Sequence, residues 1–244
     1  MKKIVIALFA ASLLICIGKG HALASDHFGE LNLKGGLILN GKGDVTFEMR
    51  NRTKDSKFTM SSDLDHGFSF ALEYLIPCSH FFQDENLFKF GLGLGYLPSL
   101  KIKEFKDAPN DFRLSCLPIY FTLQVNPFPS QHELLHRIFI KGNIGYSLNL
   151  SNDQILSDGI INKNKGIIKL LNIAQISKRS NVGGIYYGLS AGYEFPVGII
   201  IDLAYCVYNF GSECKYSSNI GDFDMNLGYT SQFVALTAGY KFKI

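Results

Sequence analysis

The chain has 244 residues, with 24 Lys and Arg against 21 Asp and Glu, for a formal net charge of +3. The three excess cations, Lys2, Lys3 and Lys19, all precede residue 25, so the rest of the chain is neutral and offers no electrostatic basis for a nucleic-acid partner. It carries 24 Gly, 20 Phe and 12 Tyr but no Trp, and this Gly- and aromatic-rich composition favours many short strands over helices.

Lys2 and Lys3 form a positive n-region, Ile4 to Ile17 is almost purely apolar, and Ala22-Leu23-Ala24 supplies a small-x-small cleavage site. This is the layout of a secretory signal peptide over residues 1–24, leaving a mature chain of 25–244. A membrane helix needs roughly 20 apolar residues, more than this run provides. Cys16 follows Ile15, where a lipoprotein signal carries a small residue, so lipid attachment is not expected. About 220 mature residues fit one domain. No later stretch is long enough for a membrane helix, so if the mature chain meets a bilayer only a closed barrel satisfies its backbone.

Eight later segments alternate in period two, the signature of strands whose two faces differ. The first sets Leu31, Leu33, Leu37 and Leu39 against Glu30, Asn32, Lys34 and Gly36. In the second, Phe68, Phe70, Leu72, Tyr74 and Ile76 oppose Ser69, Ala71 and Glu73. Phe88, Phe90, Leu92, Leu94 and Tyr96 then oppose Lys89, Gly91, Gly93 and Gly95, and Leu117 to Val125 oppose Tyr120, Thr122, Gln124 and Asn126. From Ile138 the apolar set runs to Leu150 against Lys141, Asn143, Gly145, Ser147 and Asn149. Ile185 to Phe195 face away from Gly188, Ser190, Gly192 and Glu194, and Ile199 to Val207 from Asp202 and Ala204. The last segment sets Val234, Leu236, Ala238, Tyr240, Phe242 and Ile244 against Thr237, Gly239, Lys241 and Lys243. Segments of about ten residues suit tilted membrane strands. The predicted fold is therefore all-β: a closed, antiparallel, up-and-down transmembrane β-barrel of eight strands. Long gaps at 40–65, 98–112, 151–183 and 210–230 alternate with short ones at 77–86, 127–136 and 196–198, as external loops alternate with periplasmic turns.

The C-terminal residues Thr237-Ala-Gly239-Tyr-Lys-Phe242-Lys-Ile244 resemble the signal read by the β-barrel assembly machinery, with Ile244 where Phe is commoner. Together with Leu117-Pro-Ile-Tyr120 and Gly184-Ile-Tyr-Tyr-Gly188, they make the mature chain resemble the porin-like, OmpA-type family of small eight-stranded outer-membrane β-barrels. The resemblance implies Gram-negative outer-membrane localisation, outer-membrane lipid around the barrel, and the assembly machinery as a partner during insertion. Thr237, Gly239, Phe242 and Ile244 would carry the assembly signal. OmpA-type relatives add a peptidoglycan-binding domain, and none is expected after the eighth strand here.

Lys34, Glu73, Lys89, Lys141, Glu194, Asp202 and Lys241 all fall on the polar face. Buried charges must be paired or solvated, and eight strands enclose an interior that side chains fill. The expected arrangement is an ion-pair and hydrogen-bond plug, and its rival is a polar conduction path. Lys34 and Lys241 lie on neighbouring strands, flanked by Glu73 and Asp202.

Other motifs imply little chemistry. His132-Glu-Leu-Leu-His136 spells a zinc-protease motif, but it lies in a turn after Asn126-Pro-Phe-Pro129 and has no downstream third His. No His–Ser pair in the last strands supports a deacylase, and G-x-S-x-G is absent. No catalytic residue, metal or cofactor is expected. Of Cys78, Cys116, Cys206 and Cys214, which allow three complete pairings, Cys206 and Cys214 are the local couple. Apolar Ile167–Ala174 is expected to pack against its own loops. The predicted function is a non-enzymatic envelope protein, structural or surface-interacting through external loops. The alternative is a small passive transport barrel for an ionic or hydrophobic solute.

Overall fold

The computed structural model describes residues 29–51, 54–78, 87–101, 113–128, 134–150, 175–217 and 223–244. The signal-peptide region 1–24, the apolar segment Ile167–Ala174, and His132 and Glu133 lie outside them. The strands are β1 (Glu30–Asn51), β2 (Lys54–Asp63), β3 (Gly67–Pro77), β4 (Phe88–Lys101), β5 (Arg113–Val125), β6 (Ile138–Asn149), β7 (Gln175–Glu194), β8 (Ile199–Ser217) and β9 (Phe223–Lys243). Pairing is antiparallel in the order β2-β1-β3-β4-β5-β6-β7-β8-β9, and β1 also pairs with β9, from Glu30 opposite Lys243 to Arg50 opposite Asp224. That pairing closes the sheet. β2 and β3 share one wall position: β3 covers the lower part of β1 up to Ile38 opposite Gly67, and β2 covers the upper part from Lys42 opposite Asp63. The result is an eight-stranded, up-and-down barrel.

The junction between β2 and β3 coincides with a bulge in β1 at Ile38–Asn40. A bulge adds one residue and reverses facing beyond it. Asn32, Lys34, Gly36 and Ile38 point inward below it, whereas Gly41, Gly43 and Val45 do so above it. Backbone groups freed at the junction find new partners. Leu64 N–H donates to the Gly41 carbonyl (2.9 Å), and His66 Nδ1 sits 3.3 Å from the Ile38 carbonyl, a contact that requires the Nδ1-protonated tautomer. At the opposite end, β7 and β8 are joined by Phe195–Gly198, where Gly198 adopts φ +85° and donates to the Phe195 carbonyl (3.0 Å). The left-handed conformation suits glycine.

Outward positions form an apolar belt. Leu33, Phe68, Leu92, Phe121, Ile144, Leu189, Leu203 and Leu236 are all 44–62% exposed. On β8 the exposed apolar positions of the belt are Ile199, Ile201, Leu203 and Tyr205, while Val207 above them is buried. Tyrosines at Tyr96, Tyr146, Tyr187 and Tyr205 ring its upper edge, and Tyr240, Phe242 and Phe195 its lower one, as interfacial girdles do. Above the belt the pattern inverts: Asn209, Glu213, Asn226 and Thr230 face out, while Phe210, Met225, Leu227 and Tyr229 face in.

This inversion corrects the expected loop boundaries. Most of 40–65 is strand, β7 begins at Gln175, β8 continues to Ser217 and β9 starts at Phe223. These extensions stand clear of lipid, so their outward face is polar and the apolar-out alternation that marks membrane strands is absent from them.

Leu92→Arg should cost about 2–4 kcal/mol of refolding stability, because it places a charge on the belt. Ser61→Arg, on the exposed β2 extension, should stay within about 0.5 kcal/mol. The folded barrel should also migrate faster than the boiled form in cold SDS, since its membrane portion has no edge from which to unzip.

Candidate functional site: the lumen

Parity sends one side chain in two inward, and the residues that arrive sort into layers. Nearest the β7–β8 turn, β1, β4, β7 and β9 contribute Glu30, Lys89, Glu194 and Lys241. Lys89 Nζ lies 2.8 Å from Glu30 Oε2 and 3.8 Å from Glu194 Oε2. Lys241 pairs with Glu194 and, at 3.4 Å, with Glu30. Two cations and two anions thus form a closed ring. A vestibule of about 540 Å³ opens below it, past His136, Arg137 and Lys243.

The second layer lies deeper. Lys34 Nζ is 2.6 Å from Asp202 Oδ2 and 3.2 Å from Glu73 Oε2, and Lys141 Nζ is 2.6 Å from the same Glu73 oxygen. Thr237 donates to Asp202 Oδ1 (2.6 Å), and Tyr120 donates to Glu73 Oε1 (3.1 Å). Phe139 closes one side, with its ring centroid 5.3 Å from Lys141 Nζ. All four charged residues are no more than 6% exposed. Charges this deep persist only when paired and hydrogen-bonded.

Tyr120 also begins the third layer. Its ring stands 5.1 Å from Tyr186, Tyr186 stands 4.8 Å from Tyr208, and Tyr208 stands 5.3 Å from Phe233. These rings from β5, β7, β8 and β9 span the lumen. Gly93 makes room for the first of them: a Cβ there would lie 2.2 Å from the Tyr120 ring. Between the central charges and the rings, a cavity of about 60 Å³ borders Lys34, Glu73, Asp202 and Asn143. It has room for a few waters. Asn143 Oδ1 has no protein hydrogen-bond partner. Above the rings most of the buried side chains are apolar, among them Val45, Leu64, Leu97, Leu227 and the Phe210–Tyr229 pair.

All seven charges singled out in the sequence reach the lumen, but in two clusters. Lys34 meets both Glu73 and Asp202, whereas Lys241 meets neither and joins the lower ring. Glu30 was missed, although its parity was legible and its charge was the signal. The aromatic layer was missed because its rings come from four separated strands. Uncharged Gln124 donates to Asn126 Oδ1 (3.2 Å), and Asn126 Nδ2 donates to the His136 carbonyl (2.9 Å). His136 sits in a 3₁₀ turn, Leu135–Arg137, rather than an α-helix. Among the described residues, no three His, Cys, Asp or Glu side chains are grouped to hold a metal. On β9, Thr237 and Gly239 face the lumen, while Phe242 and Ile244 are 46% and 43% exposed on the outside.

The local cysteine couple is overturned. Cys206 is a free thiol facing the lumen, as is Cys116, and Cys78 is also free. Cys206 and Cys214 lie eight residues apart on one extended strand, about 26 Å along it, well beyond the reach of a disulfide.

The outer membrane protein OprG from Pseudomonas aeruginosa superposes with a TM-score of 0.50 at 11% identity, covering 90% of this chain and 99% of that one. The chain has the fold of the small eight-stranded outer-membrane β-barrels. Outer membrane protein AlkL aligns over 91% of this chain and 94% of its own, with a TM-score of 0.46 and 11% identity. Neisserial surface protein A aligns over 87% and 97%, with a TM-score of 0.36 and 12% identity. No family model and no curated protein matches the chain. At these identities the likeness to other outer-membrane β-barrels is one of fold.

Glu73→Gln should cost about 3–5 kcal/mol, because it strands Lys141 in the barrel centre. Adding Lys141→Met should recover part of that loss, giving urea-refolding stabilities that are not additive. Additivity would show that the two side chains do not act as a pair. Cys116 and Cys206 should react with a maleimide only after unfolding.

Proposed function

We propose that the protein is a non-enzymatic outer-membrane barrel with a plugged lumen, acting as a structural or surface-interacting element through its extracellular portion. The observation that carries this reading is the filling of the lumen at three successive levels, two ionic and one aromatic. A path for hydrated ions would have to break buried ion pairs and part four packed rings. Export would use the signal peptide. Insertion would use the assembly machinery, with Thr237, Gly239, Phe242 and Ile244 as its recognition signal and outer-membrane lipid around the belt.

One feature favours a second reading, passive transport of a small apolar solute. Above the rings, Phe47 and Met60 line the extracellular mouth, and Phe58 is 53% exposed there. Such a solute would enter easily and then meet the aromatic layer.

Single-channel recording of the refolded protein separates the two. The wild type should show no steady conductance, and Glu73→Gln should introduce intermittent leakage. A steadily conducting wild type, in which Glu73→Gln changes only ion selectivity, would replace the plug with an open path. Deleting residues 242–244 should leave unfolded protein in the periplasm, detected by its loss from outer-membrane fractions.

A further inference from the structure

The outward wall above the belt carries a polar trough of about 360 Å³. Strand register explains its shape. Thr46 on β1 stands opposite Gly228 on β9, Gly228 opposite Gly211 on β8, and Gly211 opposite Val182 on β7. Two adjacent glycines make this row the floor. One step higher, Glu48, Asn226 and Glu213 line up across the same strands, and one step lower stand Thr230 and Asn209. The trough therefore runs across the strands. Four strands at their usual spacing make it about 14 Å long.

Its height and chemistry identify an occupant. The floor lies six residues beyond Tyr205, the last exposed apolar position of β8, or about 20 Å further along the strand. It opens sideways, toward whatever the leaflet places beside the barrel. Carboxylates on Glu48 and Glu213, an amide on Asn226 and a hydroxyl on Thr46 supply acceptors and donors together, which suits hydroxyl groups that both give and accept. Glu48 stays ionised, since the Lys57 ammonium 2.7 Å away holds its carboxyl below the usual range. The lining contains no Lys or Arg to hold a phosphate, and its two aromatic residues, Phe210 and Tyr229, turn their rings into the lumen. The lower wall is braced: Thr230 donates to Asn209 Oδ1 (2.8 Å), and Asn209 Nδ2 donates to the Ile185 carbonyl (3.2 Å).

We infer that this trough binds the uncharged sugar rings of the outer-leaflet glycolipid surrounding the barrel. The inference rests on the outer-membrane placement proposed above. Its partner is a neutral, hydroxyl-rich glycan held at the barrel wall.

The test is amide NMR of the refolded, isotope-labelled protein in detergent micelles, titrated with dephosphorylated core oligosaccharide released from a rough-type lipopolysaccharide. The Gly211 and Gly228 amides should shift saturably, while Gly35 and Gly142 in the belt should not. Gly228→Leu is the decisive variant. A Cβ there meets only Thr46 Cβ, at 3.9 Å, so the variant should fold and fill the trough, weakening binding at least tenfold. Asn226→Ala with Glu213→Ala should weaken it similarly. Gly142→Leu, where a Cβ meets nothing within 4 Å, should bind as the wild type does. Absence of the shifts, or wild-type affinity in Gly228→Leu, would overturn the inference. So would equal shifts from anionic phospholipid added to the micelles without sugar. Flotation of the protein with lipid vesicles tests the membrane placement separately, because the titration needs no bilayer.

Discussion

Closure of the sheet through β1 and β9 is the constraint on which everything else depends. Once those strands pair, the backbone of the membrane portion is satisfied around the whole ring, and that portion has two faces with no edge. Each residue on a strand must then choose between a narrow interior and the surroundings. In the lower half the surroundings are apolar, so polar side chains turn inward and must satisfy one another. The Lys34, Glu73, Lys141 and Asp202 cluster is the direct result.

The same closure explains why the barrel changes character along its axis. Below the tyrosine girdle it is apolar outside and polar inside, and above the girdle it is polar outside and apolar inside, like a soluble barrel. The aromatic layer sits where the two regimes meet. Tyr120 belongs to both, since its hydroxyl serves Glu73 while its ring begins the stack that ends at Phe233. The β1 bulge and the β2–β3 junction fall near the same level, so the wall is rearranged where the interior changes from charge to rings.

Most of the fold was legible in the sequence, because within lipid the period-two signal is strong. Leu92 beside Gly91 and Gly93, or Ile144 beside Asn143 and Gly145, could be assigned to faces by inspection. The strand extensions were not legible, because Thr46, Gly211 and Gly228 read as loop residues when apolar-out alternation is the only template. The inward charges were visible one by one, but their partners depend on strand stagger. Lys241 is therefore beside Glu194 and Glu30, rather than beside Asp202 on the adjoining strand. Cys206 and Cys214 look close only if a loop begins near Phe210, whereas β8 continues to Ser217.

Each ionic layer contains two cations and two anions, and this balance has an electrical meaning. A membrane potential does work on net charge displaced through it, and a layer with none presents almost no handle for that field. Rearrangements that keep either cluster intact would move little charge across the bilayer. The lumen therefore gives a transmembrane voltage little net charge to act on.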